Sequence, residues 1–256
     1  MRTRISPENP FRYNRAGFAW EQVPAGTDAH LDFGCHDGAF LNSLRSKDIG
    51  RLVGVDISRL AVERAQQRFP ELEVLHISKN GLQPFADRTF NSVTILDVLE
   101  HVNDQMGLLS EIRRVLTDDG RLIVTLPGRH LFSFLDFGNL KFRFPKLHKM
   151  YYRGKLNEEE YNYRYRANPD GLIGDIEAEK AWHEHFSRKG IRRLLEEAGF
   201  TPTEFDGTAF FTRAIQCVNF LVRKWTPIQP LVKRLIWLDH RFFESMNLYC
   251  LAIKRT

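Results

Sequence analysis

The sequence predicts an α/β fold: a mostly parallel sheet with helices packed on both of its faces. Three observations predict it. Short β-branched runs near 29–33, 51–55, 72–76, 92–97 and 121–126 alternate with helical patterns near 38–46, 58–68 and 104–116, which is the rhythm of βαβ units. Each run is short, apolar and bounded by turn signals such as Asp118-Asp119-Gly120, as buried parallel strands are. The first run, Leu31-Asp32-Phe33, enters Gly34-Cys35-His36-Asp37-Gly38, and the second, Leu52-Val53-Gly54-Val55, ends on Asp56, 24 residues after Asp32. That arrangement is Rossmann-like and suited to a nucleoside. Glycines admit close backbone approach, and the distal carboxylate accepts hydrogen bonds from ribose hydroxyls. Gly-x-Gly-x-x-Gly is absent, which argues against NAD or FAD and for a cofactor with a ribose but no phosphate.

The elements follow in order along one domain, 1–256. Residues 1–27, rich in Arg, Pro and aromatics (Phe11, Tyr13, Phe18, Trp20), form an irregular or partly helical lead-in. Residues 28–128 form the cofactor-binding core. Within it Ser58 is placed to N-cap the pattern Leu60, Ala61, Ala65, Phe69, which Pro70 ends. Residues 129–182 form an aromatic-rich insertion, with ten Phe and Tyr between Phe132 and Tyr165 interleaved with Lys141, Arg143, Lys146, Lys149, Arg153 and Lys155. It follows the fifth strand on the side where ligands bind in such sheets, so it reads as a lid that shapes an acceptor pocket and excludes water. Residues 183–256 complete the sheet. Ser187 caps a helix ending at Gly199, whose Phe186, Leu194, Leu195 and Ala198 face inward. Two more candidate strands, 200–211 and Asn247–Lys254, bring the total to seven. Between them, 212–245 reads as two amphipathic helices split by Pro227-Ile228-Gln229-Pro230, with six Lys/Arg (Arg213, Arg223, Lys224, Lys233, Arg234, Arg241) against Asp239 and Glu244.

Composition bounds the partners. At 256 residues, with 43% hydrophobic and 27% charged residues, the chain has the make-up of an ordinary globular domain with a substantial core. Cys35, Cys217 and Cys250 form neither a disulfide framework nor a metal spacing. The start lacks an apolar leader, and no run reaches the ~18 apolar residues of a membrane span. A reduced, cytoplasmic setting is expected. The net charge of +5 argues only weakly for an acidic partner.

The run from Asp32 to Gly38 resembles motif I of the class I S-adenosylmethionine-dependent methyltransferases, Asp-x-Gly-x-Gly-x-Gly. Asp32, Gly34 and Gly38 match, and His36 replaces the central glycine, a replacement that a negative φ would accommodate. Further matches occur in the same order. Val53-Gly54-Val55-Asp56-Ile57-Ser58 resembles motif II, and Pro84-Phe85-Ala86-Asp87-Arg88-Thr89-Phe90 resembles the run leading into the fourth strand. Val93 to Val102 resembles that strand and its active-site exit, and Glu111 to Pro127 the helix and strand that follow. The likeness covers 28–128 and 183–211, and it points to the small-molecule O-methyltransferase-like branch. It implies that the last two strands form a hairpin and that S-adenosyl-L-methionine is the cofactor. It also implies cofactor roles for Asp32 near the methionine end, Phe33, Gly34 and Gly38 in the loop, Asp56 on the ribose and Ile57 against the adenine. The loop holding Ser78, Lys79 and Asn80 stands where relatives contact the adenine amino group, with Lys79 where an acid is common.

Asp97-Val98-Leu99-Glu100-His101 ends the fourth strand, and three readings stand open for it. Asp97 contacts the cofactor while Glu100 and His101 fix the loop; or His101 is a general base, since its intrinsic pKa lies near working pH; or Asp97, Glu100 and His101 bind Mg²⁺ or Mn²⁺. The last spacing is similar to the Glu-x-x-Glu-His of ubiquinone-biosynthesis O-methyltransferases and small-RNA 2′-O-methyltransferases. The leading expectation assigns no metal. His185, with His183 beside it, and His130 are further base candidates. The expected activity is O-methylation of a small or lipid-linked acceptor such as a glycan or a quinone precursor. A metal-dependent RNA 2′-O-methyltransferase and an inactive scaffold of the same fold are the alternatives, with nucleic acid disfavoured because no RNA-binding module is present. Segment 212–245 is open to three readings: a basic surface for anionic lipid, which would make the chain membrane-peripheral; a homodimer face; or extra core.

Overall fold

The computed structural model describes residues 5–78, 81–82, 84–136, 139, 143–152, 156–162, 184–222 and 225–255. Its strands are β1 (Ala29–Phe33), β2 (Arg51–Asp56), β3 (Glu73–His76), β4 (Phe90–Leu96), β5 (Leu116–Pro127), β6 (Phe200–Thr208) and β7 (Asn247–Lys254). They form one sheet in the order β3-β2-β1-β4-β5-β7-β6. The first five pair in parallel, while β7 runs antiparallel to both β5 and β6. Strand β1 is flanked by β2 on one side and β4 on the other, so the winding reverses at β1 and a crevice opens at the carboxyl ends there.

Alternation along each strand divides the core. Leu31, Phe33, Val53, Val55 and Ile95 pack to one side with Leu109, Ile112, Ile191 and Leu195. On the other side Phe18, Trp20, Leu41 and Leu44 pack with Ile123 and Tyr249. His30 and Asp32 are the buried polar residues of β1. The helices are α1 (Arg15–Gln22), α2 (Ala39–Ser43), α3 (Arg59–Arg68), α4 (Gln105–Val115), α5 (Pro145–Tyr152), α6 (Glu158–Asn162), α7 (Arg188–Glu197), α8 (Thr212–Val222) and α9 (Gln229–Phe242). Side-chain caps start four of them. Asn14 accepts from Gly17 N at 3.0 Å, Ser58 from Ala61 N at 3.2 Å, Asp104 from Gly107 N at 2.8 Å and Ser187 from Gly190 N at 3.0 Å.

The lead-in is core rather than appendage. Helix α1 buries Phe18, whose ring stacks on Tyr249 at 5.3 Å, and Lys47 holds the helix end by donating to Val23 O at 2.7 Å. Several expected boundaries move. The helix expected over 38–46 stops at Ser43 and tightens into a 3₁₀ turn, Leu44–Lys47, before Asp48 at φ +53°. The strand expected over 200–211 ends at Thr208, because Ala209 at φ +63° turns the chain out of extended backbone. The strand expected over 121–126 extends back to Leu116. Helices α8 and α9 match the two expected in 212–245, and Pro230 stands in the first turn of α9, where its missing N–H costs nothing. Of the lid, the structure describes a 3₁₀ turn, Leu131–Leu135, and helices α5 and α6. Its Tyr163, Tyr165 and Trp182 lie outside the described residues.

Candidate active site

The crevice is built from the loop after β1. Gly34 (φ +80°), His36 (φ +49°) and Gly38 (φ +74°) all take left-handed backbone, so the expected negative φ at His36 is not found. Histidine is among the non-glycine residues that occupy this region most often, and the backbone N–H of His36 donates to Asp56 Oδ2 at 2.9 Å. Gly34 N and Cys35 N both donate to Val55 O, at 2.8 and 3.1 Å, which fastens the loop to β2. A β-carbon at Gly34 would lie 2.4 Å from Val98 Cγ2. Packing against the β4 exit therefore demands glycine there, quite apart from any ligand.

Asp56 is buried at the end of β2. Its Oδ1 accepts from Ser58 N at 2.8 Å and its Oδ2 from His36 N. Each oxygen keeps another lone-pair site, so the carboxylate is fixed in aim yet able to accept from two neighbouring hydroxyls. That fits a ribose. Ile57, half-buried, follows it. Ser78 is exposed, and Lys79 and Asn80 lie outside the described residues.

Beneath the loop runs a buried polar chain. Ser92 Oγ lies 2.8 Å from His30 Nδ1, His30 Nε2 lies 3.1 Å from Thr94 Oγ1, and Thr94 donates to Asp32 Oδ1 at 2.7 Å. The donors order themselves: Thr94 gives its proton to the carboxylate, so it accepts from His30 Nε2–H, and Nδ1 accepts from Ser92. Burial drives His30 down to about 3, which keeps it neutral, and the Lys47 charge acts in the same direction. Burial lifts Asp32 to about 7; the Thr94 bond opposes this, and the Asp56 charge adds to it.

Two residues of the lead-in that sequence reasoning passed over pair with acids of the sheet, Arg15 at the exit of β4 and Tyr13 on β6. Asp97, at φ +54°, accepts from Thr125 Oγ1 at 2.8 Å and from the Arg15 guanidinium. The Asp97 charge raises Arg15 above its ordinary value. Tyr13 donates its hydroxyl to the Asp206 carboxylate. The only sequence signal was the Arg and aromatic richness of 1–27.

The metal alternative is not assembled. Asp97 turns to Thr125 and Arg15, and among the described residues no three His, Cys, Asp or Glu side chains gather to hold an ion. Glu100 is fully buried, and its Oε1 lies 4.0 Å from His101 Nε2.

The structure does bring two of the three base candidates together beyond β5. His185 Nε2 lies 2.8 Å from Asp136 Oδ2 and 3.1 Å from Arg213 Nη1, and Arg213 also reaches Asp136 at 3.3 Å. A carboxylate only accepts, so His185 Nε2–H donates to Asp136, which leaves the His185 lone pair on Nδ1. His130 Nδ1 lies 3.2 Å from Gly128 O and 3.1 Å from Ser133 Oγ; the carbonyl can only accept and the hydroxyl can do so too, which suits Nδ1–H with the lone pair on Nε2. That Nε2 is buried with no hydrogen-bond partner among the described residues. Burial lowers the His130 pKa below the ordinary value, the Gly128 bond opposes this, and the Arg213 and His185 charges assist it. Phe132 and Phe210 flank the ring, and Phe211 and Phe243 complete the aromatic wall. His183 lies outside the described residues.

A family model described as a methyltransferase domain matches residues 31–124, from β1 into β5. Residues 31–124 are thus similar to a methyltransferase domain. The domain's relatives include a "Probable S-adenosylmethionine-dependent methyltransferase" of Mycolicibacterium smegmatis, 32% identical over 43% of this chain and 41% of that protein. An uncharacterized 37.1 kDa protein in transposon TN4556 of Streptomyces fradiae is 26% identical over 90% of this chain and 63% of its own length. The chain thus spans less than two thirds of either relative. A crystal structure of a SAM-dependent methyltransferase from Methanosarcina mazei superposes on the domain and its surroundings with a TM-score of 0.54, at 19% identity, over 93% of this chain and 97% of that one. No helix among the described residues is long and apolar enough to cross a membrane.

Proposed function

We propose that the chain is an enzyme that moves a methyl group from S-adenosylmethionine to an oxygen of a small or lipid-linked acceptor, such as a glycan or quinone precursor. When bound, the cofactor supplies an electrophilic methyl carbon on a sulfonium. The protein's task is then alignment, which can lower a barrier by ~7–11 kcal/mol. Asp56 accepts from the ribose hydroxyls, Ile57 packs on the adenine, and Ser78 borders it. Phe33, Gly34 and Gly38 shape the methionine cradle, with Asp32 buried beneath it and Asp97 as its anionic wall. Arg15, paired to Asp97, closes that wall from outside.

His130 is the general base in this reading, ahead of His101 and His185. The supporting observation is its buried, unpartnered Nε2 beside an aromatic wall. The Gly128 carbonyl holds the proton on Nδ1, so Nε2 can take the acceptor's hydroxyl proton, and the lowered pKa keeps it ready at neutral pH. Transfer of radiolabelled methyl into extracted acceptors tests this. His130→Ala should cut turnover by roughly 10²–10⁴-fold, while His101→Ala and His185→Ala should cost much less. In the wild type, the acid limb of the pH–rate profile should fall below the ordinary histidine value. Full turnover by His130→Ala would remove the base assignment and leave the cofactor site standing.

A further inference from the structure

We infer that helix α9 is a docking surface for an anionic lipid bilayer, lying in the headgroup plane beside the aromatic wall. Its inner side is narrow. Val232 and Asp239, two turns apart, are its buried residues, and Asp239 accepts from Phe210 N, Phe211 N and Thr212 N at the start of α8. Ile236, Leu238 and His240 are half-buried, and most of the remaining residues face outward. Leu231, Leu235, Leu238 and Phe242, at spacings of four, three and four, form one apolar stripe. Leu231 is 54% exposed and Phe242 67%. Arg234 and Arg241 border the stripe, Trp237 lies beyond them with Arg241 5.5 Å over its ring, and Lys233 lies on the far side of Trp237. Trp225, which precedes the helix, is 61% exposed. Apolar side chains with an indole and flanking cations are what a helix needs to seat at the headgroup–acyl boundary.

Charge distinguishes a bilayer from a second copy of the chain. The segment's two acids are engaged elsewhere: Asp239 holds α8, and Glu244 pairs with Arg188 at 2.9 Å. Among the described residues Lys233, Arg234 and Arg241 make no ion pair. A two-fold dimer through this face would set these cations opposite themselves, whereas anionic headgroups would neutralise them. The face is also continuous with the proposed acceptor pocket. Phe243 follows Phe242 and contacts Phe210 and Phe211 of the aromatic wall. An acceptor carried on a lipid would meet that wall at headgroup depth.

This inference goes beyond methyl transfer and is read without turnover or cofactor. The full chain would be sedimented with phosphatidylcholine vesicles, with and without phosphatidylglycerol, while tryptophan emission is followed. Binding should require phosphatidylglycerol, shift emission to the blue and weaken as salt rises. Leu235→Ser with Trp237→Ser, and separately Lys233→Glu with Arg234→Glu, should each weaken it by at least about tenfold, with circular dichroism and thermal midpoint unchanged. Three results would overturn the inference: no vesicle binding by the wild type, equal binding to neutral vesicles, or a dimer in solution that the same variants dissociate.

Discussion

His36 holds a β-carbon in left-handed backbone between two glycines that adopt it freely. Such a residue costs about 1 kcal/mol relative to glycine, so His36→Gly should raise unfolding free energy by about that amount in urea titration. Unchanged or lower stability would mean that the imidazole makes a compensating contact. Asp32 carries the clearest pH signature. Its folded pKa of about 7 lies above the ordinary 3.8, so between those values the folded state holds a proton that the unfolded chain has released. This site therefore favours folding most below pH ~4, loses that advantage as pH rises, and levels off above ~7, a change on the order of 4 kcal/mol. Asp32→Asn should flatten that slope in denaturation curves taken across the window. At this scale the sequence was legible where the backbone leaves one choice, as at Gly34 and Gly38, whose left-handed turns the glycine pair announced. It was not legible at Asp32, whose shift comes from burial under the folded loop, with the Thr94 bond opposing it and the Asp56 charge adding to it.

Helices α8 and α9 show how one side chain can join two elements. The Asp239 carboxylate, on α9, accepts three backbone N–H groups and the Thr212 hydroxyl at the start of α8. It caps a helix that it does not belong to. Asp239→Ala leaves those donors buried without an acceptor and should cost about 3 kcal/mol, seen as a lower urea midpoint. A loss below about 1 kcal/mol would mean that water replaces it. The strands and helices of 28–128 could be read from period and punctuation because their signals are local. The end of the sixth strand could not. It is set by Ala209 turning out of the sheet and by an acid thirty residues later, and no period in the sequence connects the two.

On the scale of the molecule, the sheet order places the β1–β4 crevice, the lead-in and the aromatic wall along one carboxyl edge. The lead-in is bound into that edge. Phe18 is fully buried on Tyr249, and Tyr13 and Arg15 reach Asp206 and Asp97. Phe18→Ala should therefore cost about 3–5 kcal/mol, as a core aromatic does, and a small loss would return 1–27 to the status of an appendage. The seven-strand architecture was legible because each βα unit announces itself. The docking of the lead-in was not, since the partners of Arg15 and Tyr13 lie 82 and 193 residues away and only the folded sheet brings them near. The whole account rests on a nucleoside cofactor held by the β1 loop and Asp56. Calorimetric titration with S-adenosylhomocysteine tests it most directly. Wild-type protein should bind one molecule, and Asp56→Ala, still folded, should lose that binding. No heat from the wild type, or undiminished binding by the variant, would contradict it.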